Sequence, residues 1–432
     1  MGGGLLQLVA YGAQDVYLTG NPQITFFMVV YRRHTNFAIE AIEQTLNGTA
    51  GYGNTVYVTV SRNGDLINRT YLQLDAPRLT GGDRYVNYYG LRLLNSVTVE
   101  IGGQQIDKHY SDWLYIWNEL SLPSGKKYAY ERMVGADGDI LTDEGATLYV
   151  PLEFWFCRNV GLSLPLIALQ YHEVKFKIVF EQLDKCIYRT DDASLTSVSS
   201  ALSSANVKLW IDYIFLDTDE RRRFAQNSTE YLIEQLQFTG GETLSKSSGN
   251  RYRLNFNHPC KELIWVGKRT DTNAYVNHWY NYTSNITTKS YESQDYESSL
   301  PLLGGIYSCN MTSFTSNLYS GIYPTGPNPF SRCLLQLNGN DRFAERNGTY
   351  FSSVQPYQHH TNIPKNKGIN VYSFALKPEE HQPSGTLNMS RIDTAVLSVY
   401  NSSTASGNIN IYAVNYNVLR ILSGMGGLAY SN

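Results

Sequence analysis

The side chains with chemical potential lie in a few places. Asp137, Asp139, Asp143 and Glu144 set carboxylates at a spacing superficially like a calcium loop. Such a loop needs ligands at fixed alternate positions, a central glycine and a terminal glutamate between two helices, and this stretch matches only in part. His359-His360 with His381 invites a metal reading. No cysteine or carboxylate completes a ligand set at suitable spacing, so the pair is expected at the surface. His172-Glu173 has no nucleophile beside it. Trp113, Trp117, Trp265 and Trp279 could stack on sugars, although helical spacing around Trp113 and Trp117 favours core packing. There is no GxSxG, HExxH, P-loop or GxGxxG. Nothing sets a nucleophile beside a base and an orienting third group. The sequence predicts no enzyme, no metal and no cofactor.

Asn-x-Ser/Thr triplets occur at Asn47, Asn68, Asn227, Asn281, Asn285, Asn310, Asn347, Asn388 and Asn401. Asn, Ser and Thr are common enough here that several triplets arise by chance. The N-terminal stretch has no basic region followed by a long apolar run, which predicts no secretory signal. Gly2 lacks the Ser or Thr at position six that myristoylation prefers; residue 6 is Leu.

These residues must be positioned by strands. Of 432 residues 17% are charged and 13% aromatic, with 34 tyrosines. Tyr and Thr suit a pleated, half-buried surface, and Asn and Gly suit turns. Tyr-rich, Lys- and Glu-poor surfaces also suit large interfaces. A net charge of −3 argues against nucleic acid as the main partner. No apolar window is long enough to cross a membrane as a helix. Five scattered cysteines without a CxxC pair imply reduced thiols.

The chain reads as a duplication. GNTVYVTVSRNGDLINRTYLQL (53–74) parallels GNRYRLNFNHPCKELIWVG (249–267). VTVEIGGQQIDKHY (97–110) parallels LLQLNGNDRFAERN (334–347), and VKLWIDYIFL (207–216) parallels INIYAVNYNVL (409–419). Three pairs in one order define two copies of one β-domain. Residues 217–223 (DTDERRR) break the apolar pattern between them as an exposed connector. The predicted divisions are an N-terminal arm 1–26, a first domain 27–216, a linker 217–230 and a second domain 231–432. Ile24 to Tyr31 is nearly continuous apolar sequence and is expected to be buried. Arg62-Asn63-Gly64-Asp65 is expected to be a hairpin turn, as is Gly102-Gly103. Tyr110–Leu122 is expected to be a short helix, residues 80–90 and 123–147 polar loops, and 149–156 and 166–180 strands.

LVAYGAQDVYLTGNPQITFF, VYRRHTNFAIE, IGGQQIDKHYSDW, PLIALQYHEVKF, WIDYIFLDTDER, EYLIEQLQFTG, RLNFNHPCKEL, QLNGNDRFAER, VYSFALKP, QPSGTLNMSRID and NYNVLRILSGMGGLAYSN resemble the major capsid proteins of large DNA viruses of algae, the chlorella-virus type. The resemblance covers both halves and both termini. It implies an all-β double jelly roll, two tandem eight-stranded sandwiches with a few short helices in loops. It implies homotrimers of hexagonal outline that tile an icosahedral shell beside neighbouring capsomers, with minor capsid proteins on the inner face. Contact with nucleic acid and insertion into membrane are not implied. Assembly would occur in the host cytoplasm, and the arm would sit at the base of the trimer, where its deletion leaves trimers but impairs the lattice. Relatives of this type are glycosylated on outer loops of the second domain. By loop position, within the long insertion 268–330 and the loop 401–408, the candidates are Asn281, Asn285, Asn310 and Asn401. A variant capsid component of the same fold and a carbohydrate-binding β-sandwich are the alternatives.

Overall fold

The computed structural model describes residues 8–10, 12–80, 82–189, 202, 206–245, 249–269, 279–284, 288–290, 322–324, 326–401 and 407–430. The insertion candidates Asn285 and Asn310 lie outside the described residues. The residues up to Phe37 form one compact unit and Ala38–Asn432 another. In the first unit a single helical turn, Val16–Thr19, buries nothing. The apolar run expected to be buried is instead exposed, from 62% at Met28 to 99% at Phe27, in a unit whose described residues form no core of their own.

The second unit contains the strands. The first half supplies β1 (Phe37–Gln44), β2 (Thr55–Thr59), β3 (Leu66–Ala76), β4 (Leu94–Ile101), β5 (Gln104–Tyr110), β6 (Ala146–Pro151), β7 (Val174–Phe180) and β8 (Val207–Leu216). They form two antiparallel sheets, ordered β1-β8-β3-β6 and β2-β7-β4-β5. The second half supplies β9 (Thr229–Phe238), β10 (Asn250–Arg253), β11 (Pro259–Arg269), β12 (Phe330–Leu337), β13 (Asn340–Asp341), β14 (Ile369–Ser373), β15 (Ala395–Asn401) and β16 (Gly407–Leu422). Their order is β9-β16-β11-β14 and β10-β15-β12-β13. Adding eight to each strand of the first half reproduces the second. Both halves are eight-stranded jelly rolls, and the three repeated sequence pairs fall on β2–β3 and β10–β11, β4–β5 and β12–β13, and β8 and β16.

Alternation explains which side chains fill the cores. In β7 every second residue, Val174, Phe176, Ile178 and Phe180, is buried. β11 and β16 behave differently, because both faces of their sheet are covered. Leu263, Trp265, Ile409, Ile411 and Ala413 face the core of the second sandwich. Ile264, Val266, Tyr412 and Val414 join the cluster that fills the first. A strand covered on both sides needs apolar residues at successive positions, hence the runs LIWV and IYAV.

Several local expectations are corrected. Arg62–Asp65 is no hairpin: β2 pairs with β7 and β3 with β8, so this turn carries the chain across the sandwich. A Cβ on Gly64 would stand 2.9 Å from the Tyr213 side chain, which is why only glycine fits there. Gly102-Gly103 does turn a hairpin, with φ of +58° and +82°, the conformation of a primed turn. The expected helix forms as α1 (Ser111–Ser121), with Trp113, Ile116, Trp117 and Leu120 buried. The stretch 123–147 is not a loop. It holds α2 (Ser124–Val134) and α3 (Gly138–Glu144), separated by Gly135 at φ +69°. Asp137, read above with the carboxylates, caps α3 by accepting from the Asp139 and Ile140 amides. Residues 80–90 bury Tyr85, Tyr88 and Tyr89. Strand β6 stops at Pro151 and Trp155–Arg158 is helical, and in 166–180 the strand begins only at Val174. The connector is a helix, α4 (Thr218–Gln226), fully outside the core, capped by Asp217 and tied by Arg221 to Asp65 at 3.0 Å.

The doubly covered sheet makes a direct prediction. Leu263→Ala empties its second-sandwich face and Ile264→Ala the opposite face. Each should cost about 2–5 kcal/mol and lower the thermal midpoint; an unchanged midpoint for either would mean that its face is not packed.

Candidate functional site: the seam between the sandwiches

The feature with most chemistry is the seam that joins the two jelly rolls, and three groups of side chains build it. The first is a buried charge cluster. Glu234 lies on β9, between apolar Ile233 and buried Gln235, with its side chain 4% exposed. Lys261 on β11 reaches it at 2.7 Å, Arg158 from the first sandwich at 2.8 Å and His381 at 3.3 Å. Lys261 Nζ also donates to the Glu380 carbonyl and stands 5.1 Å from the Tyr416 ring centroid. Arg158 lies over the Trp117 ring. Burial alone would raise the Glu234 carboxyl, but Arg158, His381 and Lys261 outweigh it and hold it at about 2. Burial lowers the Lys261 ammonium.

Next to this cluster His360, expected at the surface, has a fully buried side chain. Its Nε2 lies 3.0 Å from Glu262 and its Nδ1 2.9 Å from Glu379. The Glu262 contact is a close ion pair without aligned hydrogen-bond geometry. Burial would lower the imidazolium, yet the two carboxylates raise it to about 9. His359 Nδ1 lies 3.0 Å from the Leu376 carbonyl. Among the described residues no group of three or more His, Cys, Asp or Glu side chains could hold a metal ion.

The second group joins β5 to β9. Asp107 Oδ1 accepts from the Leu236 amide at 3.1 Å, and Gln235 Nε2 donates to the Ile106 carbonyl. Asn417 on β16 donates to Gln235 Oε1. The third group fastens the base of the long insertion to α1. Asp112 accepts from Lys268 Nζ at 2.7 Å and from Tyr282 Oη at 2.9 Å. Burial would raise its carboxyl, and Lys268 brings it below the usual range. Tyr280 stacks on Tyr115 with centroids 4.6 Å apart.

The C-terminus closes the seam. Met425–Leu428 forms β17 against β16. Its turn meets the first sandwich where the Tyr171 amide donates to the Gly424 carbonyl, and the Leu428 amide donates to Gln104. A Cβ on Gly426 would stand 2.6 Å from Leu169, so the GMGG run permits this close approach.

Of the sugar-stacking candidates, Trp113, Trp117 and Trp265 are buried, and Trp279 lies under the Arg92 guanidinium. Asn281, expected on an outer loop, is 2% exposed, and its Oδ1 accepts from the amide and hydroxyl of Thr283. Asn401 is half-buried at the end of β15. The seam residues were missed in sequence. The available signal was a charged residue inside an otherwise apolar strand, as in YLIEQLQF and CKELIWVG.

Two sandwiches of one strand order, fused through a shared core and a paired polar seam, define a protein of the double jelly-roll class. Residues 25–217 match the family model for the major capsid protein N-terminus, and residues 220–427 that for the large eukaryotic DNA virus major capsid protein. The major capsid proteins of Phaeocystis pouchetii virus and Paramecium bursaria Chlorella virus 1 are 46% and 45% identical, each over 100% of both chains. The crystal structure of PBCV-1 VP54, fitted into a reconstruction of the virophage Sputnik, superposes with a TM-score of 0.76 at 40% identity, covering 94% of this chain and 100% of that one. The chain belongs to the major capsid proteins of large eukaryotic DNA viruses, and its role is structural, as a component of the virion capsid.

The charges give the seam a pH signature. Glu234, held below its ordinary 4.5, contributes on the order of 3 kcal/mol. That contribution is full above about pH 4.5 and is lost as pH falls towards 2. His360, raised above its ordinary 6.5, stabilises fully below about pH 6.5 and loses that contribution as pH rises through 9. Denaturant unfolding at pH 6 and pH 9 should show a fall for the parent protein that is much reduced in His360→Gln; equal falls in both would refute this role. Lys261→Met, which strips a buried partner from Glu234, should cost about 3–5 kcal/mol at neutral pH.

Proposed function

We propose that three copies of this chain form a capsomer of pseudo-hexagonal outline, and that such trimers tile an icosahedral shell. The observation that carries this reading is the identical strand order of two sandwiches locked by one seam. Three such chains present six similar corners, which pack as a hexagon does. Closed three-fold symmetry then uses one heterologous interface repeated around the ring. The quasi-atomic model of the PBCV-1 virus capsid, to which the chain is 38% identical with a TM-score of 0.74, supports the same reading. Neighbouring capsomers and minor capsid proteins on the inner face are the partners in this arrangement, with assembly in the host cytoplasm. Light scattering on the purified protein should give about 146 kDa, three chains of 48.8 kDa. A stable species of one chain mass would refute the trimer.

We further propose that covalent glycans occupy the outer loops of the second sandwich, with Asn285, Asn310 and Asn401 as acceptors. Asn281 shares their loop position, but a glycan there would have to break the turn that Asn281 makes with Thr283. Glycopeptide mass spectrometry of virion protein should find added hexose mass on peptides with the first three positions and none at Asn281. Unmodified asparagines throughout would remove the proposal.

A further inference from the structure

The apolar run Ile24–Tyr31 is the largest continuous set of exposed apolar side chains among the described residues, reaching 90% at Phe26 and 99% at Phe27. It belongs to no strand. A surface of that kind marks a contact. Arg32 and Arg33, both exposed, follow it directly, and no ion pair among the described residues uses either.

A complementary surface exists on β1. This strand ends the order β1-β8-β3-β6, so β8 is its one neighbour and its other edge has no partner among the described residues. Such an edge is a template for an incoming strand. Alternation sets Phe37, Ile39, Ala41 and Glu43 on one face of β1 and Glu40 on the other. Phe37 and Ile39 are 51% and 54% exposed, and among the described residues Glu40 is exposed without an ion pair and Glu43 has only a 3.4 Å ion pair with Lys208. One surface is thus apolar and basic and belongs to no strand. The other is apolar and acidic with a free backbone edge.

We propose that Ile24–Arg33 of one copy docks along the β1 edge of a second copy, apolar side chains meeting Phe37 and Ile39 and Arg32 and Arg33 meeting Glu40 and Glu43. Residues 24–36 span at most about 45 Å when extended, enough to cross to an adjoining subunit. Two different patches meet, so the contact is heterologous and propagates from copy to copy. The inference rests on the self-assembly proposed above and deepens it by naming the segment and the strand.

The test is an oxidative cross-link in the full-length chain carrying Phe27→Cys and Ile39→Cys. The native protein serves as control for its own cysteines, and Phe27→Cys with Val160→Cys as a control for random collision. The expected product on a denaturing gel runs at two or more chain masses, at least five-fold above either control. Adding Arg32→Glu and Arg33→Glu should cut that yield at least five-fold, and adding Glu40→Lys and Glu43→Lys to the same chain should restore it. A product at one chain mass would place the arm on its own strand and overturn the proposal. A yield equal to the controls, or no recovery in the combined charge swap, would overturn it too. Light scattering on the parent separates the two readings. A trimeric parent without the interchain product defeats only this inference, whereas a monomeric parent defeats the trimer.

Discussion

Everything in the second unit depends on one sheet, β9-β16-β11-β14, being covered on both faces along its middle. One side packs on the second sandwich's own core and the other on the cluster that fills the first. In most two-domain chains the interface is modest and polar, and the domains move against one another. Here the interface is continuous with a core. Side chains of successive residues, Leu263 and Ile264 or Ala413 and Val414, belong to different sandwiches' interiors. The sandwiches therefore have no independent surface at the seam, and the pair behaves as a single block. A capsid subunit that must hold its shape against its neighbours gains from that property.

A dry sheet is a poor place for charge, which makes Glu234, Lys261 and Glu262 informative. Burying an ion costs several kcal/mol, recovered only when every partner is in place. Glu234 has three nitrogen partners drawn from three parts of the chain: Arg158 in the first sandwich, Lys261 on β11 and His381 in the loop after β14. Apolar contacts tolerate sliding; this cluster does not, because a shift of one strand position would leave a buried charge unpaired. The apolar sheet supplies the affinity of the halves for each other, and the cluster supplies their register.

This division also explains what the sequence made legible. Strands announced themselves by alternation, and the duplication by three segment pairs that fall on equivalent strands. The helices α2 and α3 did not, because SGKKYAYERMV carries few apolar residues and buries only Tyr130, Glu131 and Val134. Arg62–Asp65 was misread because an Asn-Gly turn looks alike whether it closes a hairpin or crosses a sandwich; only the pairing of β2 with β7 decides. The seam was hidden for a different reason. Its partners lie far apart in the chain, as do Asp112 and Lys268 or Ile106 and Gln235, and no local pattern encodes a distant neighbour. His360 shows the limit most plainly: beside His359 it reads as surface, and only the fold brings Glu262 and Glu379 to its two nitrogens.

The two halves keep one strand order but spend their loops differently, and that asymmetry has a physical use. The first sandwich fills its β5–β6 connection with α1, α2 and α3, and α1 becomes a floor for the base of the other half's insertion through Asp112, Tyr115 and Ser111. The second sandwich places its long connection between β11 and β12 instead. A strictly symmetric pair would offer two equal corners and no means of telling one from the other. By anchoring the insertion of one half on the helices of the other, the chain makes its halves similar in backbone and different in surface. Repetition of the strands gives the two halves one backbone frame, and divergence of the loops gives each half its own surface.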